Sequence, residues 1–122
     1  MELNYNKEKN YCTIKLKGIL SRDEILHAFN AAVSHIYHVP GMGRLWDFCE
    51  ADLSLLSSDT INSMAQYSLR FPNGINNVKV AFVVGRELEY GLTRMFEAFS
   101  SNAKTTIKIF KSLEQAKKWI SS

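Results

Sequence analysis

The chain has 122 residues, 46% hydrophobic and 22% charged, with a net charge of +3. That is the length of one domain, enough to bury a core without metals or disulfides. So small a charge, spread over dispersed lysines with no dense basic stripe, argues against nucleic acid as a partner.

Two cysteines, Cys12 and Cys49, make no disulfide framework and stand in no metal-ligand spacing. The start, Met1-Glu2-Leu3-Asn4-Tyr5, lacks the basic and apolar regions of a secretory leader. No apolar run reaches the ~20 residues of a membrane span. The expectation is a cytoplasmic protein with reduced thiols. No repeat or linker divides it, so 1–122 reads as a single domain.

Leu3 to Tyr5 predicts a short strand, and Asn6-Lys7-Glu8-Lys9-Asn10 a hairpin turn. Tyr11 to Lys17 alternates, with Cys12, Ile14 and Leu16 on one side, and Gly18 is expected to end it. Ser21 with Glu24 forms a capping box. The helix it opens is expected to reach Tyr37, burying Ile25, Phe29, Ala32, Val33 and Ile36. Pro40 stops it.

Gly43 to Phe48 predicts the next strand, followed by a mixed apolar and acidic loop from Cys49 to Leu56. Ser57 or Ser58 caps a second helix that buries Ile61, Met64, Ala65, Ser68 and Leu69. Val78 to Val84 is short, β-branched and almost continuously apolar, the pattern of a strand covered on both faces. A third helix begins near Glu87, with Leu88, Leu92, Met95, Phe96 and Phe99 along its apolar face. Gly91 within it is expected to mark close packing. Ser101-Asn102-Ala103-Lys104 reads as a turn and Thr106 to Phe110 as a strand. Ser112 with Gln115 opens a terminal helix faced by Leu113, Ala116, Trp119 and Ile120.

The order β-β-α-β-α-β-α-β-α predicts an α/β fold with a mixed, mostly parallel sheet. Catalytic and metal constellations are missing from the sequence. His27, His35 and His38 cluster along the first helix, and His27 and His38 fall off its apolar face, where exposure is expected. No second His or Cys group joins them as metal ligands. Cys49 follows a strand, but no histidine is paired with it. Asp47 stands near the carboxyl end of a strand, with Glu50 and Asp52 behind it. These three define a candidate ligand or partner surface, because ligands of open parallel sheets gather at that edge. The glycine spacing of phosphate-binding loops is also missing. Ser57 and Ser58 are first of all caps, and also a place where the helix amides would welcome a phosphate.

Several strings together resemble one family. They are Leu45-Trp46-Asp47, Val80-Ala81-Phe82-Val83-Val84, Tyr90-Gly91-Leu92-Thr93-Arg94-Met95-Phe96 and Ile109-Phe110-Lys111-Ser112-Leu113-Glu114-Gln115-Ala116, leading to Trp119-Ile120. With the element order, they are similar to the STAS-like (SpoIIAA-like) family related to sporulation anti-sigma-factor antagonists. The resemblance covers nearly the whole chain. It implies helices mainly on one side of the sheet and a non-enzymatic regulatory role. In the antagonists a serine at the start of the second helix is phosphorylated, which maps to Ser57 and Ser58. The family's Asp-Ser-Ser-Gly string is not repeated here. The fold also resembles lipid-carrier domains, whose pocket lies between helices and sheet.

Two readings follow. The first is a protein-interaction module centred on Ser57, Ser58, Asp47, Glu50 and Asp52. Its partner is a protein, a second copy of the chain included, and no cofactor is needed. The alternative is a binder of an apolar or lipid-like small molecule, prompted by Met95, Phe96, Phe99 and Trp119. An enzyme ranks third, with Asp47 and Cys49 as the residues to mutate.

Overall fold

In the computed structural model, residues 1–101 and 104–122 are described; the centre of the expected turn at 101–104 lies outside them. The elements are β1 (Glu2–Asn6), β2 (Tyr11–Ile19), α1 (Arg22–Ser34), β3 (Gly43–Asp52), α2 (Ser58–Ser68), β4 (Lys79–Val84), α3 (Glu87–Phe99), β5 (Thr106–Phe110) and α4 (Leu113–Ile120). This is the element order that the sequence predicts.

One five-stranded sheet runs β1-β2-β3-β4-β5. β1 and β2 form an antiparallel hairpin, and every later pairing is parallel. The strand order never reverses. Right-handed crossovers then place each connecting helix on the same face. Accordingly α1, α2 and α3 pack together over Ile14, Trp46, Phe48, Phe82 and Val84. α4 follows the last strand and covers the other face, where Ala116 and Ile120 meet Leu45, Ala81 and Val83. β4 is thus covered on both faces, which accounts for its unbroken apolar run.

The structure corrects several local expectations. α1 stops at Ser34, and His35 is extended. The Tyr5 hydroxyl donates to the Ala32 carbonyl at 2.6 Å, the oxygen that a longer helix would have used for the Ile36 N–H. The Tyr5 ring also stacks on His35. Ile36, expected in the core, is 88% exposed as a result. His27 is exposed as expected, but His38 is half-buried and its Nε2 has no partner among the described residues. Burial, then the nearby Arg44 charge, lowers its pKa.

β3 does not end at Phe48. It continues to Asp52 through a bulge, where Lys15 pairs with Asp47 and Lys17 with Glu50. Three steps on β3 therefore face two on β2. The Cys49 N–H donates to Asp47 Oδ1 at 3.0 Å. β2 likewise runs past Gly18, which takes a left-handed φ of 77°. Gly91 is not a close-packing site, since a Cβ there would meet nothing within 4 Å. The close approach is at Gly85, where a Cβ would lie 3.0 Å from the Cys49 carbonyl oxygen.

Candidate functional site

Between the sheet and the three helices lies an apolar cavity of about 90 Å³, several times the ~10–15 Å³ that one water needs. Its sheet wall is Trp46 and Phe48 from β3 with Val80 and Phe82 from β4. Strand alternation turns these four to the same side. Phe29 of α1, Met64 of α2 and Leu92 with Phe96 of α3 close it from above. Leu53 and Leu56, from the segment between β3 and α2, also line it. Met95 and Phe99, noted in the sequence beside Phe96, do not line it, and Phe99 is exposed. Trp119 packs on the opposite face.

Arg44 is the charged side chain in this wall. It sits two residues before Trp46 and shares its face. Only 4% of it is exposed. Nη1 donates to the Ile75 carbonyl at 2.8 Å, and the guanidinium lies 5.2 Å from the centre of the Phe29 ring. Among the described residues its buried Nε has no partner, and no carboxylate comes within ion-pair distance. Burial pulls its pKa down to about 10, so it stays charged at neutral pH. The Ile75 carbonyl is held in place by Asn76, whose Nδ2 donates to the Ser68 and Phe71 carbonyls at 2.9 and 2.8 Å. Cys12 pairs with Arg44 across the strands, but burial pushes its thiol up to about 11. It is therefore neutral and does not balance the charge.

The residues singled out in the sequence lie elsewhere. Asp47 is buried, on the strand face opposite Trp46 and Phe48. Glu50 pairs with Lys15 at 2.9 Å. Asp52 accepts the Ser54 N–H at 2.9 Å and meets Arg86 at 3.2 Å. The three carboxylates thus have separate partners. A sheet whose strand order never reverses has no switch-point crevice to gather them. Ser57 is the cap of α2: its Oγ accepts the Thr60 N–H at 3.2 Å. Ser58 is the first helical residue, and both are exposed. Cys49 is exposed, yet partial desolvation and then Asp47 push its thiol up to about 11.

Sequence reasoning missed Arg44, although its alternation with Trp46 and Phe48 turned it inward. It also missed Glu89, which is fully buried on α3. Glu89 accepts the Leu53 N–H at 3.0 Å and takes two bonds from Arg86 at 2.7 Å each. Arg86 thereby holds the Glu89 carboxyl below the ordinary carboxylate range, against its burial. Leu88, expected inside, is exposed instead, because the helix turns Glu89, Leu92 and Thr93 to the core. Among the described residues no group of three or more His, Cys, Asp and Glu could hold a metal ion. No described helix is long and apolar enough to cross a membrane.

A five-stranded sheet with one antiparallel edge, three helices on one face and one on the other defines the SpoIIAA-like α/β fold, the fold of the family the sequence resembles. A solved structure from Shewanella loihica PV-4, an uncharacterised protein of the DUF3478 family with a SpoIIAA-like fold, is similar over 98% of this chain and 90% of its own. The TM-score is 0.61 and the identity 20%. No protein-family model matches the chain, and none of the curated proteins does.

Proposed function

We propose that this domain is a non-enzymatic binding module that takes a small apolar molecule between the sheet and α1–α3. The observation that carries this reading is the cavity walled by Trp46, Phe48, Phe82 and Leu92. Space inside an apolar core forfeits dispersion contacts, and a ligand restores them. Such a ligand gains roughly 25 cal/mol for each Å² of apolar surface taken from water. The test is a titration with octan-1-ol, followed by tryptophan emission. The chain has two tryptophans, so Trp119→Phe leaves Trp46 as the reporter. The reading expects a saturable change, lost when Val80→Phe fills the cavity. A flat titration in both variants contradicts it.

The start of α2 supports a second reading, docking of a protein partner. Leu55 is 64% exposed there, beside exposed Ser57 and Ser58. Glu50 and Asp52 extend this surface, while Asp47 supports it from within through the Cys49 N–H. Phosphate on either serine would then switch the surface. Mass spectrometry of the chain from its own cells tests this. A phosphate at Ser57 or Ser58 supports the switch, and a chain unmodified under all growth conditions contradicts it.

A further inference from the structure

Arg44 narrows the chemistry of the ligand. Its guanidinium carries five N–H donors. Among the described residues, the acceptor that meets them is one carbonyl, that of Ile75. Burying a cation without a carboxylate is costly, and the cost falls when a fork of donors meets two oxygens side by side. The Phe29 ring face contributes a cation–π contact but no acceptor for Nε. The polar groups around Arg44 supply no negative charge: Ser68 and Asn76 are uncharged, His38 can carry only a positive one, and the Cys12 thiol is kept neutral by burial.

Arg44 also stands toward the amino end of the β3 wall of the cavity, and Phe48 toward its carboxyl end. From Arg44 to Phe48 along β3 is roughly 13 Å at the usual rise per residue. Beyond Phe48 the chain continues to Leu53 and Leu56, which also line the cavity. Along the chain this lining is cationic, then aromatic, then aliphatic. It is complementary to a molecule with one anionic head and an apolar body.

Resting on the reading of the cavity as a ligand site, we propose that its ligand is an apolar monocarboxylate, with the carboxylate on Arg44 and the body against Trp46, Phe48 and Phe82. A linear fatty acid and an aryl-alkanoic acid share this chemistry, and two probes separate them. The full-length chain is titrated calorimetrically with octanoate and with 4-phenylbutyrate, each beside the alcohol of the same skeleton. The expected result is that at least one acid binds about tenfold or more tighter than its alcohol. Which acid binds better identifies the body.

Arg44→Met should bring the acid down to the level of its alcohol and leave the alcohol's affinity nearly unchanged. Arg44→Lys keeps the charge but not the fork, so it should lose part of the acid's advantage. Should Arg44→Met fail to fold, as read by circular dichroism, Arg44→Lys and the wild-type acid–alcohol comparison decide. Equal binding of acid and alcohol by the wild type overturns the carboxylate assignment and leaves the cavity reading standing. An acid affinity untouched by Arg44→Lys overturns it too. Binding of neither class by the wild type removes the cavity reading and this inference with it.

Discussion

The Glu89 carboxylate accepts the Leu53 backbone N–H at 3.0 Å, across 36 positions of sequence. This bond ties the segment that leaves β3 to the first turn of α3. Leu53 and Leu92, brought together this way, both line the cavity. A carboxylate with no exposed surface therefore braces one end of the candidate site.

Glu89→Gln keeps an oxygen for Leu53 but loses the charge facing Arg86. It should cost about 1–2 kcal/mol at pH 7, a figure discounted because Arg86 is 55% exposed. The carboxyl is held below its ordinary value, so the charge contributes fully above the unfolded-state pKa of ~4.3. That contribution is lost as pH falls through the lower folded value. Urea midpoints of the wild type and the variant, measured from pH 7 down to pH 3, should therefore converge on acidification. A gap that stays constant with pH would rule out the charge as its cause.

Gly85→Ala places a methyl 3.0 Å from the Cys49 carbonyl oxygen, a backbone atom held by the bulge. The expected loss is about 1–3 kcal/mol, the range of overpacking. Gly91→Ala adds its methyl to open space on a helix surface, and should gain about 0.5–1 kcal/mol from helix propensity. Thermal unfolding of the two variants should move in opposite directions. Equal shifts would place the constraint elsewhere.

Ser57 and Ser58 are adjacent and both exposed, but only Ser57 accepts the Thr60 N–H. Ser57→Ala should cost about 1 kcal/mol through loss of the cap, and Ser58→Ala close to nothing. Chemical denaturation separates them. If Ser58→Ala proved the costlier, the assignment of the cap would be wrong.

The fold was legible because hydrophobic period, caps and turn residues all agree with it. Ser21 with Glu24 forms the expected capping box, and the unbroken run at β4 marked the strand covered on both faces. The deviations arise from long-range partners that local patterns do not encode. α1 ends early because Tyr5, on another strand, takes its carbonyl. β3 runs long because β2 pairs with it beyond the bulge. The site was less legible for the same reason. Arg44 and Glu89 carry charges that a pattern search assigns to the surface, and their long-range partners, the Ile75 carbonyl and the Leu53 N–H, help to hold them inside. Asp47, Glu50 and Asp52 looked like a cluster in sequence; the bulge turns all three to one face, but each is taken up by its own partner, the Cys49 N–H, Lys15 and Arg86.

The central claim is that the cavity under α1–α3, and not the α4 face, takes the ligand. Methyl-resolved NMR with octan-1-ol tests it most directly, because both faces carry reporter methyls. Shifts in Ile61, Met64, Leu92 and Ile107, which line the cavity, with Leu113 and Ile120 on the other face unmoved, are the predicted result. Shifts confined to Leu113 and Ile120, or none at saturating ligand, would contradict it.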